Sequence, residues 1–505
     1  MVNSELFLMN RRFLRYLFTA FLAMSARTVT AQSADAASIR HQVRTFRSEH
    51  ETNILNELES FLAIPNLASD TAGIRRNAAR LVQMMAARHI ATKLLESPSG
   101  GPPVVYGELE SPGATKTVVF YAHYDGQPVD TTQWATPPWR PVLRDGRLYA
   151  RSASDDKAPI EAMLTAIDGL SAANINRSVN LKFFFEGEEE AGSPHLHDNL
   201  VRNAGLVRAD AWLFGDGPIH QSRRQEVVFG VRGVTGAELT VYGPSHGLHS
   251  GHYGNWAPNP VTRLANLIAS MRDDDGRILI KTYYNDVRPI TAAERRAIAN
   301  VPSIDSAMRV ETQLAATEAN DAPLVERIML PALNLRGIRG GGVGATASNT
   351  IPTEATASID FRLVPAQTPE HVRALVEAHL KSRGYFIVDH VPTAAERMAH
   401  AKIVKVAWEA GYPATRVAID SPLARAVLHA TQDASDAPVV ALPTMGGSLP
   451  LYDFEQVLHT PLIVLPIVNH DNNQHAANEN LRLQNLFDGI EVYASVVASL
   501  GTYWK

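Results

Sequence analysis

Five times along the chain, a short apolar run is followed within a few residues by side chains of the kind that bind metal ions. These side chains are His123 with Asp125, Asp155, Glu189 with Glu190, Asp216 and His475. Residues spread this widely in the sequence can meet only if the fold brings the same end of several strands together. α/β folds do so at the carboxyl ends of parallel strands, so the pattern predicts one shared site at a sheet edge.

The composition narrows the type of metal site. The chain has no cysteine, so its ligands must be histidines and carboxylates. That ligand set favours hydrolytic chemistry with zinc or a manganese-like ion over a structural zinc site of the cysteine type. A net charge of -5 and a pI near 6.4 give no electrostatic reason to expect a nucleic-acid partner. The sequence therefore predicts a metal-dependent hydrolase.

The beginning of the chain differs in character from the rest. Arg11 and Arg12 precede a mostly apolar run over residues 13–26, and small residues at 29–31 suit a signal peptidase. The run is well short of the roughly 20 residues that a membrane-spanning helix needs. We therefore predict an export signal at residues 1–31, a periplasmic or secreted protein, and no membrane contact after cleavage. The paired arginines leave both the Sec and the twin-arginine export routes open.

Strands alternate with helices over most of the chain, which is typical of an α/β fold with a mainly parallel sheet and flanking helices. The 505 residues are too many for a single core. After residue 228 the strands acquire one polar face, which indicates a separate, smaller α/β domain inserted into the first. We therefore predict catalytic-domain segments at residues 32–228 and 394–505, with the inserted domain at residues 229–393.

A two-metal hydrolase needs about seven ligand and base groups, including a carboxylate between the ions and a free carboxylate near the attacking water. Asp155 suits the bridging position, Asp125 can hold the second ring nitrogen of His123, and Glu189 is left as the general base. Taken singly, each of these residues is more often part of a turn, a helix cap or a solvated charge run. Their shared position after apolar runs favours a site. The remaining assignments are His123 and Asp216 to one ion, and Glu190 and His475 to the other.

The motifs around these residues resemble the M20 metallopeptidase family, which includes carnosinase-like dipeptidases, glutamate carboxypeptidases and aminoacylases. The matching segments are residues 122–128, 149–157, 186–193 and 475–479, together with Asp216. The resemblance covers the chain beyond the signal and implies a zinc-peptidase-like fold with two divalent ions, Zn²⁺ being the first choice. It also implies that Glu189 is the base, that Glu190 is a ligand, and that a cis peptide bond joins Asp155 to Asp156.

The resemblance extends to the predicted inserted domain. His249 matches a residue that, in dimeric relatives, reaches the partner's active site and polarises the scissile carbonyl. Further matches imply a pocket for the C-terminal carboxylate of the substrate, for which a guanidinium fork is well suited. The residues of this pocket are Arg362, Asn349, Ser448 and Gly447. The resemblance thus implies a homodimer in which the inserted domain serves as lid and dimerisation domain.

These observations lead to one main functional prediction and two alternatives. The main prediction is an exported di-zinc metallopeptidase that cleaves dipeptides or short peptides with a free C-terminal carboxylate, through a metal-bridging water activated by Glu189. The first alternative is a deacylase of N-acyl amino acids, which would have an apolar pocket where a peptidase has a polar group for the free amine. The second is a non-catalytic peptide-binding protein, which the presence of the base and all five ligands disfavours.

Overall fold

The computed structural model describes residues 35–505. The signal peptide predicted at residues 1–31 lies outside these residues, so export stays a prediction from sequence. Within the described part of the chain, no helix is both long enough and apolar enough to cross a membrane.

The helices of the described residues range from single turns to more than seven turns. In chain order they are Ala36–Leu62, Thr71–Ala86, Lys157–Ala172, Leu196–Val207, Ser250–Tyr253, Pro260–Ala269, Ala292–Ala299, Asp305–Glu311, Glu318–Asp321, Leu324–Arg327, Pro369–Ser382, Ala394–Ala399, Pro422–Asp433, Leu451–Leu458 and Leu483–Tyr503. Several begin at a side-chain cap, as sequence rules predict. Asp70 caps the helix that starts at Thr71, and Ser421 caps the helix that starts at Pro422.

The largest sheet has eight strands and is called the main sheet. In spatial order its strands are Ala91–Leu95, Val104–Leu109, Asn180–Glu186, Thr117–His123, Ala211–Phe214, Leu462–Val464, Glu226–Val228 and Val440–Leu442. The four strands from Asn180–Glu186 to Leu462–Val464 run parallel to one another. Their carboxyl ends therefore lie at one edge, which is where the sequence predicts the site. The predicted α/β class with a mainly parallel catalytic sheet is confirmed.

Helices cover both faces of the main sheet. Three long helices, Ala36–Leu62, Lys157–Ala172 and Leu483–Tyr503, pack together on one face. Helices Leu196–Val207 and Leu451–Leu458 lie on the other face, where their apolar residues join a core with the strands. A strand that is covered by helices on both faces has apolar side chains at nearly every position. This explains the near-continuous apolar runs in the sequence.

A second sheet of five strands lies in the part of the chain predicted to form the inserted domain. Its strands, in spatial order, are Ala332–Arg339, Glu354–Leu363, Gly233–Tyr242, Ile403–Trp408 and Phe386–Val388. All neighbours are antiparallel except the last pair. Strand Ile403–Trp408 pairs on both sides within this sheet, so the predicted boundary at residue 393 cuts the sheet and is too early. The predicted boundary falls too early because this strand is about as apolar as the strands of the main sheet.

Three smaller sheets complete the strand pairing. One of them joins Val142–Arg144, Arg147–Tyr149 and Asn480–Arg482. Strand Arg147–Tyr149, which precedes Asp155, therefore belongs to this small sheet and not to the main one. Because Arg147–Tyr149 pairs with Asn480–Arg482, the loop before Asp155 lies beside the segment that follows His475. The other two are the pair Leu248–His249 with Thr350–Ile351 and the pair Gly230–Val231 with Thr415–Arg416.

Candidate metal centre

Asp155 lies between two histidines from distant parts of the chain. Its Oδ1 is 2.9 Å from Nε2 of His123, and its Oδ2 is 3.1 Å from Nε2 of His475. The same nitrogen of His475 is 3.2 Å from Oε2 of Glu190. His123 ends the central strand Thr117–His123, whereas Asp155 and His475 lie on loops. One carboxylate thus faces both imidazoles, which is the geometry required of a bridging ligand.

Asp125 supports two parts of this arrangement at once. Its carboxylate accepts the backbone N–H groups of Glu189 at 3.1 Å and of Glu190 at 3.0 Å. One of its oxygens also lies 3.3 Å from Nδ1 of His123, and both of these side chains are fully buried. The carboxylate therefore fixes the turn that carries the two glutamates and the orientation of the imidazole ring. Nε2 of His123 is left directed at Asp155.

Two overlapping groups of side chains could each hold a metal ion. In each group, one ligand atom per residue lies within 4.8 Å of the others. The groups are His123 with Glu189 and Asp216, and His123 with Asp155 and Glu190. These five residues and His475 are called the metal cluster below. The structure thus gathers the five residues predicted as ligands, and it places the predicted base Glu189 within ligand distance of Asp216.

The metal cluster contains more buried negative charge than its two histidines can balance. Burial raises the pKa of Glu189 well above its usual range and raises the pKa of Asp216 to about 7. Burial acts on Asp155 too, but its contacts with His123 and His475 hold the pKa of that carboxyl below its usual range. Crowded carboxylates of this kind are stabilised by multivalent cations, which take the place of the protons. The donor set therefore fits two divalent ions.

Glu479 holds the loop before Asp155, a role that the sequence analysis did not assign. Its carboxylate is fully buried and accepts three backbone N–H groups from that loop. The donors are Ser152 at 2.9 Å, Ser154 at 3.0 Å and Asp155 at 3.0 Å. Arg151 donates to the same carboxylate at 2.8 Å and so pairs the buried charge. Segment 475–479 therefore supplies both a cluster residue and the support of the bridging carboxylate.

Two more polar residues border the metal cluster. Gln127 donates from Nε2 to Oε2 of Glu190 at 2.7 Å, which orients that carboxylate. Asp156 accepts the backbone N–H of His123 at 3.3 Å, and burial raises the pKa of its carboxyl well above the usual range. The peptide bond between Asp155 and Asp156 is cis, as the family resemblance implies. Gln127 and Asp156 lie in the matched segments 122–128 and 149–157, but their contacts depend on tertiary neighbours that these segments do not show.

Arg362 lies on the second sheet in contact with the loop formed by residues 446–450, here called the carboxylate loop. Its Nη1 donates to Oγ of Ser448 at 2.9 Å, and its Nε donates to Oδ2 of Asp360 at 3.0 Å. Nη2 has no partner among the described residues, and the side chain is 31% exposed. Gly447 accepts the backbone N–H of Arg232 at 3.3 Å, which ties the loop to the second sheet. The structure thus brings Arg362, Gly447 and Ser448 together as predicted residues of one subsite.

Tyr412 lies beside this subsite. Val234 pairs with Arg362 on one side and with Tyr412 on the other, so all three side chains share one face. Burial raises the pKa of Tyr412, and the charge of Glu189 adds to this effect, whereas Arg362 and Ser448 lower it. The strand register therefore places the phenol on the same face as Arg362. Sequence reasoning missed Tyr412 because no motif surrounds it.

His249 and Asn349 lie together, at a different place. Strand Leu248–His249 pairs with Thr350–Ile351, and the backbone oxygen of Asn349 accepts the N–H of Ser250 at 2.8 Å. The imidazole of His249 is exposed, and its Nδ1 accepts the N–H of Gly251 at 3.1 Å. Among the described residues, neither side chain forms a hydrogen bond or ion pair with the metal cluster or with Arg362. The predicted site residues therefore form two groups. His249 and Asn349 make up one, and the other predicted residues, which include the metal cluster, make up the second.

A comparison with known protein families matches residues 119–499 to Peptidase family M20/M25/M40. The match includes every residue of the metal cluster and the whole second sheet. This chain belongs to that family. The predicted membership is confirmed, and the chain is a metal-dependent peptidase. M20 peptidases are dinuclear metal enzymes, and the metal cluster offers two candidate ligand groups.

Curated relatives and solved structures agree with this assignment. The chain is 29% identical to the Cys-Gly metallodipeptidase dug1 of Schizosaccharomyces pombe over 412 residues, covering 79% of this chain and 83% of the relative. It is 25% identical to the Beta-Ala-His dipeptidase of Homo sapiens over 502 residues, covering 95% and 96% of the two chains. The structure of an M20 family metallo-carboxypeptidase, Sso-CP2 from Sulfolobus solfataricus, superposes with a TM-score of 0.74 at 28% identity. That superposition covers 89% of this chain and 99% of the other.

Proposed function

We propose that this M20 peptidase is an exported di-zinc dipeptidase that hydrolyses dipeptides and short peptides with a free C-terminal carboxylate. The observation that carries the proposal is the metal cluster itself, and Arg362 at the carboxylate loop adds a group that can bind a carboxylate. A guanidinium with a free terminal nitrogen suits a substrate that ends in a carboxylate. The export part rests on the sequence of residues 1–31.

The residues of the metal cluster would hold the ions. His123 and Asp216 are assigned to one ion, Glu190 and His475 to the other, and Asp155 to both. The absence of thiolates and the presence of two imidazoles favour zinc. The two ions, when bound, would act as Lewis acids that polarise the scissile carbonyl and make a water molecule more acidic.

Glu189 has the environment of a general base. Its carboxylate lies in the cluster beside Asp216, and burial raises its pKa, so it accepts a proton more readily than an exposed glutamate. In the proposed reaction Glu189 takes a proton from water as the water oxygen bonds to the scissile carbon. Glu189 then gives that proton to the leaving amine as the C–N bond breaks. The products are an amino acid and the remaining acid.

Peptides are better supported as substrates than N-acyl amino acids. The two relatives above are named for the dipeptides Cys-Gly and Beta-Ala-His, and both substrates pair a free amine with a free carboxylate. Arg362 and Ser448 would bind that carboxylate in either reaction class. The sequence relatives, which cover most of the chain, therefore favour the dipeptidase over the deacylase.

The carboxylate subsite predicts a large effect of Arg362→Lys. Wild type is expected to release amino acids from dipeptides in a zinc-dependent manner and to act poorly on C-terminal amides and on N-acetyl amino acids. Because a lysine cannot form the paired hydrogen bonds of a guanidinium, kcat/KM for the dipeptides should fall by about 10-fold to 100-fold. The measurement is steady-state kinetics on matched acid and amide peptides.

Arg383→Lys is the matched control, because Arg383 is an exposed arginine just after helix Pro369–Ser382 and lies outside the proposed subsite and dimer edge. That change should leave the ratio between acid and amide peptides as in wild type. Equal turnover of acid and amide peptides by wild type would contradict the carboxylate subsite. Faster turnover of N-acetyl amino acids than of dipeptides would replace the proposal by the deacylase alternative.

We also propose a homodimer in which His249 acts on the partner's site. His249 and Asn349 are exposed, and among the described residues their side chains form no hydrogen bond or ion pair with the metal cluster. Strand Ala332–Arg339 forms an edge of the second sheet, and the apolar side chains of Leu335 and Ile338 on it are about half exposed. Exposed edges of this kind are available for pairing with another chain. A C2 dimer would place each His249 at the site of the other subunit.

The dimer predicts that two inactive variants restore activity when they are combined. Glu189→Gln and His249→Ala homodimers should each be nearly inactive. A mixed dimer has one site with both native residues if His249 acts across the interface, so co-expression should recover about a quarter of wild-type activity in a random mixture. The measurement is turnover per purified dimer, with light scattering to establish the mass. A monomeric mass, or a mixture as inactive as its parts, would contradict the proposal.

A further inference from the structure

A cavity of about 810 Å³ lies next to the carboxylate loop. Its walls come from the end of the main sheet, from helix Ala292–Ala299 and from residues 323–328, and Gly446 and Gly447 form one side. Most of the lining is apolar. The cavity is large enough for a long side chain together with water.

Glu226 faces this cavity. In strand Glu226–Val228 the first and third residues point to the same face, because side chains alternate along a strand. Val228 belongs to an apolar cluster with Leu442, and Val325 and Met445 pack against that cluster. Leu442, Val325 and Met445 also line the cavity, as does Glu226 itself. The glutamate is therefore a buried acidic group set among apolar walls, whereas Asp305 and Glu326 also line the cavity.

The carboxyl group of Glu226 has no partner. The residue is only 4% exposed, and no described residue forms a hydrogen bond or ion pair with its side chain. Burial alone raises its pKa to about 8, with no contribution from a nearby charge. Buried polar groups are normally paired, so an unpaired carboxyl that opens onto a cavity indicates a missing ligand group.

The other titratable residues of the cavity do not supply that partner. Burial lowers the pKa of His220 and of His470, so both imidazoles stay neutral. Arg295 is exposed, and the acidic residues Asp305 and Glu326 line the same cavity. A cationic group could therefore enter the cavity without meeting a buried positive charge.

The position of the cavity indicates which part of a substrate would enter it. Gly447 lines the cavity, and the next residue, Ser448, contacts Arg362 at 2.9 Å. The α-carboxylate and the side chain of an amino acid are attached to the same carbon atom. A carboxylate held at Arg362 and Ser448 therefore places the side chain of the same residue beside the cavity.

We propose that this cavity receives the side chain of the C-terminal residue of the substrate, and that Glu226 selects a side chain with an apolar stem and a basic nitrogen at its end. This inference rests on the proposed peptidase function. Lysine has both features: its four methylene groups suit the apolar walls, and its amine would pair with the carboxyl of Glu226. An apolar side chain of the same length would leave that carboxyl unpaired.

The test compares the dipeptides Ala-Lys and Ala-norleucine, which differ at the side chain by one amino group. Wild type is expected to show a kcat/KM at least about tenfold higher for Ala-Lys, because the norleucine peptide buries an unpaired carboxyl. Glu226→Gln should remove most of this preference through slower cleavage of Ala-Lys. Glu238→Gln, an exposed glutamate on a strand of the second sheet, is the matched control and should keep the wild-type ratio.

Each result decides between the hypotheses. Equal cleavage of both peptides by wild type, which needs no variant, would overturn the inference and leave the peptidase function intact. An unchanged preference in folded Glu226→Gln, as judged by its melting temperature, would overturn the role of Glu226. If wild type cleaved no dipeptide with a free carboxylate, the proposed function would fail and the inference with it.

Discussion

Asp155→Asn is expected to abolish metal-dependent hydrolysis with little change in the shape of the side chain. The wild-type carboxylate faces Nε2 of His123 with one oxygen and Nε2 of His475 with the other. An amide carries no charge and presents a single acceptor oxygen, so it cannot serve as a ligand to two cations. Loss of the stabilisation that a metal pair gives to the transition state, several kcal/mol, corresponds to a decrease in kcat of at least about 10³-fold.

The same variant is expected to bind less metal. Elemental analysis of the purified wild type should give two zinc ions per chain, and the variant should retain one or none. Asp145→Asn is a suitable control, because Asp145 is exposed in the turn between strands Val142–Arg144 and Arg147–Tyr149. A variant that keeps both ions and wild-type turnover would contradict the bridging role of Asp155. Removal of the ions from wild type with a chelator should reproduce the loss of activity, and added zinc should reverse it.

The metal cluster could be predicted from sequence because its residues follow features that sequence shows well. The strand Thr117–His123 is a buried apolar run. Its last residue lies at the carboxyl edge of the main sheet, and this position does not depend on contacts with distant segments. Asp216 follows a second such strand, Ala211–Phe214. For both residues a local pattern determines the position, since parallel strands end at one edge.

Other parts of the site depend on contacts that no local pattern shows. Asp155 does not follow a main-sheet strand, and its position depends on Glu479, which binds its loop from more than 300 residues away. Glu479 lies in a matched motif, but an isolated glutamate there looks like any other charged residue. The early boundary at residue 393 has a similar cause. Strand Ile403–Trp408 joins the second sheet through pairing with Gly233–Tyr242, and such partners cannot be read from one strand.

The two groups of predicted site residues also differ in how many contacts within one chain hold their side chains in position. Arg362 is fixed by Asp360 on its own strand and by Ser448 across the gap to the carboxylate loop, so one chain suffices. His249 is fixed only within its own turn and its two-residue strand pair. A side chain held by so few contacts and exposed to solvent requires a second surface to give it a catalytic position. This difference is the physical basis for separate tests of Arg362 and His249.

Glu189→Gln is expected to reduce kcat strongly while leaving the metal content unchanged. The side chain keeps its size, and its backbone N–H keeps the hydrogen bond to Asp125. A glutamine cannot accept a proton, so the step in which water loses its proton loses its base, and kcat should fall by about 10²-fold to 10⁴-fold. The measurement is turnover of a dipeptide at saturating concentration, with zinc content determined on the same sample.

Zinc content separates the two roles that the geometry offers to Glu189. Because Glu189 lies within ligand distance of His123 and Asp216, loss of an ion together with activity would make it a ligand and would remove it as the base. Retention of both ions with low turnover would fit the base alone. Glu110→Gln, an exposed glutamate after strand Val104–Leu109, should match wild type in both measurements. Wild-type turnover in Glu189→Gln would show that another group accepts the proton.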